Sequence, residues 1–266
     1  MSRLLVCPPD YFCIDYEINP WMRVSNAAHP ERARAQWHGL MRVLEQDIGV
    51  LLERMQPVAG LPDMVFTANA GSVIGRRAVP SRFRHPERRR EERYFEQWFR
   101  DHQYDVVLLD ESISFEGAGD LLGFPDIRFG GYRQRTDVRA YARLSEIFAC
   151  EIIPLELIDP RFYHLDTCFC PLSGGELLYY PPAFDAYAQA VIRDRIGPSR
   201  RIVVPQADAL RFACNAVCVG KHVVLPDGCP DTMHALAAQG YDPHPVPLDE
   251  FMKAGGSAKC LTLTLD

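Results

Sequence analysis

The chain has 266 residues and a formal net charge of −6, from 29 lysines and arginines against 35 aspartates and glutamates. That acidic balance argues against a general binder of nucleic acid or of anionic membrane, because both surfaces repel it. A hydrophobic share of 47% suffices for a substantial core, and the length suits a single domain over residues 1–266, a size that α/β barrels and propellers reach.

In chain order, an apolar run over residues 3–7 predicts an opening strand and is too short for a signal or membrane segment. Helical patterns follow over 28–48 and over 86–102, the second starting at a proline. Inside the second, the run Arg88-Arg89-Arg90 is followed by Glu91 and Glu92 and reads first as a solvated helix face. Strands at 106–109 and 151–154 bracket a helix over 138–148. Strands at 167–172 and 176–180 lead into a helix over 183–196 and a strand at 201–204. Strands at 216–219 and 222–225 precede a helix over 231–239, and the apolar run 261–265 predicts a terminal strand. The chain is α/β throughout.

About every fifty residues a looser order recurs, strand hairpin, helix and short apolar strand, over 106–154, 165–205 and 210–247. Repeats of that size mean stacked units or blades sharing a core, with the polar strand ends converging on a central axis. A doubly wound sheet is the rival, but no G-x-G-x-x-G or P-loop supplies it with a nucleotide site. The nine cysteines, at 7, 13, 150, 168, 170, 214, 218, 229 and 260, include no C-x-x-C pair. An odd, irregular set of this kind fits reduced thiols in the cytoplasm better than a disulfide framework. Cys168-x-Cys170 reads as strand alternation and Cys214-x-x-x-Cys218 has no second half at zinc spacing, so no metal is expected.

Four segments set an ionisable or amide side chain inside an apolar, turn-flanked stretch: Phe66-Thr67-Ala68-Asn69, Phe115-Glu116-Gly117-Ala118-Gly119-Asp120, His164-Leu165-Asp166-Thr167 and Gly255-Gly256-Ser257-Ala258-Lys259-Cys260. Burying such groups costs several kcal/mol unless they are paired, so each calls for a partner. The Gly-Gly turn delivers Cys260 to a strand edge with Lys259 beside it to favour the thiolate; the alternative is a small hydrophobe opening a strand. His164 and Asp166, two apart, share one side of a strand, where the carboxylate orients the imidazole or a cationic ligand; the alternative is a satisfied core histidine. Glu116 and Asn69 have turn roles as their alternatives. Together, a thiolate, a proton-carrying histidine and two carboxylates suit nucleophilic displacement at a guanidinium carbon.

Phe-Thr-Ala-Asn, Phe-Glu-Gly-Ala-Gly-Asp, His-Leu-Asp-Thr and Gly-Gly-Ser-Ala-Lys-Cys-Leu-Thr, in this order and at these separations, resemble the guanidine-modifying (pentein) superfamily. That superfamily includes arginine deiminases, dimethylarginine dimethylaminohydrolases and glycine amidinotransferases. The likeness is strongest to arginine dihydrolases, otherwise found as the N-terminal part of bifunctional proteins with an ornithine cyclodeaminase part. It implies a five-bladed α/β propeller of ββαβ-type repeats around a central polar site. It also implies Cys260 as the nucleophile forming an amidino adduct, His164 as general acid and base, and Glu116 and Asp166 as guanidinium-binding carboxylates. Deiminases carry an aspartate where this chain has Asn69, and an amide, both donor and acceptor, can also hold a neutral urea. The resemblance therefore implies hydrolysis of L-arginine through citrulline to ornithine, ammonia and carbon dioxide. Asn19 would help place the second substrate, Arg88 and Arg135 would clamp the α-carboxylate, and Asp120 and Ala258 would lie at the substrate. Arg133 competes with Arg135, and Asp120 with Glu116, for the inward place.

No cofactor is implied, since water is the other reactant and the thiol the catalyst. The partner is a small guanidino compound, with no nucleic acid or membrane, and a homo-oligomer stays open. The rival readings are a deiminase or dimethylarginine dimethylaminohydrolase stopping at citrulline, an amidinotransferase, and a non-catalytic arginine sensor.

Overall fold

Residues 2–265 are described by a computed structural model, in which one strand order is repeated round a central axis. The chain opens with β1 (Arg3–Val6), α1 (Pro30–Arg42) and β2 (Leu51–Arg54). It then runs through β3 (Gly71–Ile74), β4 (Arg77–Pro80), α2 (Glu92–Asp101) and β5 (Asp105–Val106). The third unit is β6 (Leu121–Phe124), β7 (Ile127–Tyr132), α3 (Arg139–Phe148) and β8 (Glu151–Glu156). The fourth is β9 (Phe169–Pro171), β10 (Leu177–Tyr179), α4 (Ala186–Arg195) and β11 (Arg201–Val203). The fifth is β12 (Val217–Val219), β13 (His222–Pro226), α5 (Pro230–Ala238) and β14 (Asp242–Val246), and β15 (Leu263–Thr264) ends the chain.

In each of the four middle units an antiparallel hairpin is followed by a helix that returns the chain as a third, parallel strand. A parallel neighbour needs such a crossover, whereas an antiparallel one needs only a turn. The remaining sheet is assembled from both ends of the chain. β15 pairs antiparallel with β1 (Leu4↔Thr264) and β1 pairs parallel with β2 (Arg3↔Leu51), so the C-terminal strand stands where the first strand of the other sheets stands. The first strands of the five sheets contribute Val73, Leu122, Phe169, Val217 and Leu263 to the wall of one axial cavity. This is the five-bladed α/β propeller.

The helices lie outside the sheets because each carries one apolar stripe. In α2 it is Phe95, Trp98 and Phe99, in α3 Ala140, Tyr141, Leu144 and Ile147, all buried, at the three- and four-residue steps of a helix that covers a sheet. Asp185 caps α4, its carboxylate accepting the Ala188 N–H at 2.8 Å.

The structure revises several expectations. The repeat is about fifty residues long, but the unit predicted at 106–154 is out of phase: Val106 pairs with Ala78 and completes the preceding sheet, and the unit begins at Leu121. Strands β2, β3, β4, β6, β7 and β14 escape the pattern because they are short, glycine-bearing or, in β14, interrupted by Pro243 and Pro245. Such prolines are tolerated because β14 is an edge strand bonded only to β13. The helix expected over 86–102 is two pieces, Pro86–Arg89 and Glu92–Asp101. The arginine run is not one solvated face either: Arg89 and Arg90 are exposed, but Arg88 is 3% exposed and folded onto Glu91.

Candidate active site

Cys260 lies in the turn just before β15, buried. Its placement depends on Asn215, a fully buried amide just before β12. Asn215 Nδ2 donates to the Asp166 carbonyl at 3.1 Å and to Cys260 Sγ at 3.1 Å. Asn215 Oδ1 accepts from the backbone N–H groups of Ser257 (3.0 Å) and Cys260 (3.1 Å), and its carbonyl takes the Lys259 N–H. One side chain thus fastens three segments of chain round the thiol. Upstream, Gly255 turns with φ +86°, and a Cβ there would meet the Tyr163 hydroxyl at 2.8 Å and Asn19 Oδ1 at 3.0 Å.

The thiol donates to Asp166 Oδ2 at 3.4 Å. Burial pushes the thiol well above its ordinary value, the Asp166 charge adds to this, and the donors from Ser257 and Asn215 oppose it. Lys259 does not produce a resting thiolate, as its place in the sequence suggested. Its Nζ bonds the Thr262 carbonyl at 3.1 Å, and its charge acts on Asp166, which burial raises to about 7 against that pull.

His164 and Asp166 do not share a strand face. Residues Leu165–Thr167 form a 3₁₀ turn, closed by the Thr167 hydroxyl on the His164 carbonyl at 2.6 Å, and the strand starts only at Phe169. The turn sends Asp166 to Cys260 and His164 to a different carboxylate: His164 Nε2 is 2.7 Å from Glu116 Oε2. The same oxygen accepts from Arg135 Nη1 at 3.0 Å, and Glu116 Oε1 accepts from the Arg84 N–H at 3.2 Å. Burial alone would raise Glu116, but Arg135 and the His164 bond hold it below the usual carboxylate range. Burial lowers His164 to about 4, against the pull of Glu116. A neutral imidazole against an ionised carboxylate carries its proton on Nε2, which leaves Nδ1 as the free base.

Asn69 sits in the turn Thr67–Ala70, with Nδ2 on the Glu116 carbonyl at 2.9 Å and Oδ1 accepting from Arg88 Nη1 at 2.9 Å. A Cβ at Gly119 would collide with Asn69 Nδ2, so the Gly-Ala-Gly backbone of 117–119 is what lets the amide and His164 come together. Arg88 forks onto Glu91, with 2.8 Å from Nη2, and stands 3.8 Å from Asp63. Asn19 Nδ2 donates to the Ala254 carbonyl, and its Oδ1 accepts from the N–H groups of Trp21 and Met22.

Cys260, Asn69, Arg88, Arg135, Asn19 and Asp63 all line one small, tight cavity. Of the arginine pair, Arg135 is the inward one, its side chain 3% exposed and stacked over Tyr163 at 4.6 Å, whereas Arg133 is 55% exposed on Glu156. Asp120, expected at the substrate, has both oxygens engaged by the protein, Oδ1 by the Leu165 N–H at 3.0 Å and Oδ2 by the Thr136 hydroxyl at 2.7 Å. It braces the His164 turn. Ala258 lies buried in the hydrophobic core, and Ala254 forms the cavity wall in its stead.

Two buried residues of the site escaped sequence reasoning. Asn215 meets the same criterion as the four segments, an amide within Phe212-Ala213-Cys214-Asn215-Ala216-Val217, and was legible on that ground. Asp63 gave no comparable signal. It accepts from Tyr16 at 2.8 Å through Oδ2, while its buried Oδ1 has no partner among the described residues; the same holds for Asp166 Oδ1. Of the two, Asp63 is in the cavity wall and Asp166 contacts the wall through Cys260; unpaired buried carboxylate oxygens are acceptors open to a ligand's N–H groups.

Replacing Asn215 by alanine strands two backbone N–H donors and a buried thiol. We expect a stability loss of about 2–4 kcal/mol in urea titration. A fall in kcat of about 100-fold, with a smaller change in KM, is expected once Cys260 is no longer held.

A family model described as N,N dimethylarginine dimethylhydrolase, eukaryotic, matches residues 8–265. The chain is 47% identical over 264 residues to the bifunctional arginine dihydrolase/ornithine cyclodeaminase ArgZ of Synechocystis sp., covering 98% of this chain and 37% of that protein. It is 41% identical over 263 residues to the N(G),N(G)-dimethylarginine dimethylaminohydrolase of Mycobacterium tuberculosis, covering 99% of this chain and 85% of that protein. The crystal structure of the N-terminal domain of ArgZ, a cysteine-to-serine mutant bound to substrate, has a TM-score of 0.96 at 45% identity, covering all of this chain and 98% of that one. The chain thus spans little more than a third of the bifunctional relative, 37%, and nearly all of its N-terminal domain.

Proposed function

The chain belongs to the N,N-dimethylarginine dimethylhydrolase family, and on that premise we propose that it is an arginine dihydrolase, a hydrolase of guanidino C–N bonds that converts L-arginine through citrulline to ornithine, ammonia and carbon dioxide. The observation that carries this reading is a pair of unpartnered buried carboxylate oxygens, one on Asp63 in the cavity wall beside Arg88 and one on Asp166, which the Cys260 thiol of that wall contacts. A zwitterionic amino acid with a cationic tail satisfies both.

In this reading Asp166 takes a guanidinium N–H and sets the carbon over Cys260. Asp63 takes the α-ammonium, and Arg88, with Arg135 on the same wall, faces the α-carboxylate. The cation offsets the burial and Asp166 charge that hold the thiol protonated, so the nucleophile forms when substrate binds. The thiolate adds to the guanidinium carbon. His164 Nδ1, having taken the proton the thiol gives up, passes it to the departing nitrogen and ammonia leaves; His164 then takes a proton from water, which attacks the amidino thioether, and returns it to the Cys260 sulfur as citrulline is released. A second addition, at the ureido carbon, expels a second ammonia. Hydrolysis of the resulting thiocarbamate leaves a carbamate that breaks into ornithine and carbon dioxide. Glu116 holds His164 in the tautomer these transfers need, with Asp120 bracing the turn.

Asn69 supports the second round, because a neutral amide between Arg88 and the Glu116 carbonyl adds no charge to repel or over-bind an uncharged ureido group. Asn69→Asp is expected to make citrulline accumulate, read as the citrulline to ornithine ratio by amino-acid chromatography. Asp63→Asn should raise the KM for arginine by about 10–100-fold with a lesser change in kcat, since it weakens a contact made equally in ground and transition states.

The deciding experiment is incubation of the purified protein with L-arginine. Ornithine with two ammonia per arginine and no urea is expected. Citrulline with one ammonia would make it a deiminase, and turnover of dimethylarginine with release of dimethylamine would make it a dimethylarginine dimethylaminohydrolase like its Mycobacterium relative in name. Its nine cysteines are all free thiols, which suits the cytoplasm, and among the described residues no helix is long and apolar enough to cross a membrane.

A further inference from the structure

Away from the cavity, the parallel pairing of β13 with β14 sets His222 opposite Asp242 and Val224 opposite His244. Strand alternation puts Asp242 and His244 on one face, and the pairing brings His222 beside both. Their donor atoms converge: His222 Nδ1 is 2.9 Å from His244 Nε2, and Asp242 Oδ2 is 3.3 Å from the first and 3.2 Å from the second. Without a metal, a proton on one ring nitrogen bridges these atoms as a hydrogen bond; a divalent cation can take that proton's place and be met by three lone pairs at once. Tetrahedral ligand bonds of about 2.0–2.1 Å around zinc place neighbouring donors about 3.3–3.4 Å apart; the two Asp242 separations are close to that, and the histidine nitrogens at 2.9 Å need only part slightly.

We propose that His222, Asp242 and His244 bind one divalent transition-metal ion, zinc foremost, at the outer edge of the fifth sheet. Two imidazoles and one carboxylate favour a first-row transition ion over calcium or magnesium, which take oxygen ligands. The Asp242 side chain is 62% exposed, so the ion has an open path and a coordination position left for water. The consequence is mechanical. β14 bonds to β13 alone, with Pro243 and Pro245 at the positions that face away from that ladder, so an ion joining residues of both strands adds a second tie to an edge strand held on one side. The three ligands come from two strands separated by α5, which is why no metal spacing shows in the sequence.

The test is titration of the whole protein with Zn²⁺ by calorimetry and with Co²⁺ by absorption, in the wild type and in Cys260→Ala, which removes the catalytic thiol as a competing ligand. Expected are one ion bound at micromolar affinity in both proteins, cobalt ligand-field bands without a sulfur charge-transfer band, and a higher melting temperature with Zn²⁺. His222→Ala and His244→Gln should each weaken binding by about tenfold or more while leaving the metal-free melting temperature and arginine turnover unchanged. Absence of binding at millimolar metal overturns the proposal. So does affinity indifferent to both histidine variants, or a sulfur band that places the ion on a cysteine.

Discussion

Cys260→Ala is expected to lose arginine turnover by about 10⁴-fold or more while the protein still folds and still binds arginine. In the proposed mechanism the side chain removed is the group that bonds to the reacting carbon. The contacts proposed to hold the substrate belong to Asp63, Arg88, Arg135 and Asp166, and the variant removes from them only the thiol's bond to Asp166. Folding survives because alanine fills most of the same buried space and Asn215 keeps its bonds to the Ser257 and Cys260 backbone. Single-turnover assays and calorimetry with arginine read the two quantities separately. A variant with substantial residual turnover removes Cys260 as nucleophile; one that neither turns over nor binds indicates collapse of the site. The same geometry makes the resting group a thiol, so carbamoylmethylation of Cys260 in the free protein should be slow at neutral pH and quicken as pH rises above the ordinary thiol range.

His164→Asn is expected to lower kcat by about 10³-fold with little change in arginine affinity, because in the proposed mechanism it removes the proton carrier and no substrate contact. The variant can still donate to Glu116, so the Glu116–Arg135 pair is kept and the loss reports proton transfer. The pH dependence has a definite sign. Burial lowers the folded-state value to about 4, against an ordinary 6.5. As pH falls below 6.5 the unfolded chain takes up a proton that the folded protein refuses, so this residue withdraws stability progressively down to about pH 4. The asparagine variant lacks that contribution. Its stability relative to wild type should therefore improve between pH 7 and pH 5 in parallel urea titrations. Loss of activity with no such change in relative stability would mean that His164 is protonated at rest and acts in another way.

How far the site could be read from sequence depended on the kind of information each residue carried. Asn69, Glu116, His164, Asp166 and Cys260 were legible because each is a polar group in an apolar stretch, a combination that burial penalises unless partners exist. Who those partners are was not legible. Placing His164 and Asp166 on a strand gave them a common side, but the turn at Leu165–Thr167 separates them, one to Glu116 and the other to Cys260. Lysine next to cysteine in the chain suggested a thiolate; burial and the Asp166 carboxylate outweigh it in the fold. Arg88 looked like one of a solvated run and is the buried member, because its partners Glu91 and Asp63 face inward.

Of the fold, the chain's own order determined the α/β class, the fifty-residue recurrence and the amphipathic helices, since alternation and helical spacing are local properties read along a few residues. The motif resemblance implied five blades round one axis; tertiary structure alone decided that β15 closes the ring on β1 and that Asn215 reaches across to hold the thiol. Each of these rests on contacts between residues far apart in sequence, whose energy depends on burial and on which donor meets which acceptor, and neither quantity exists until the chain has folded.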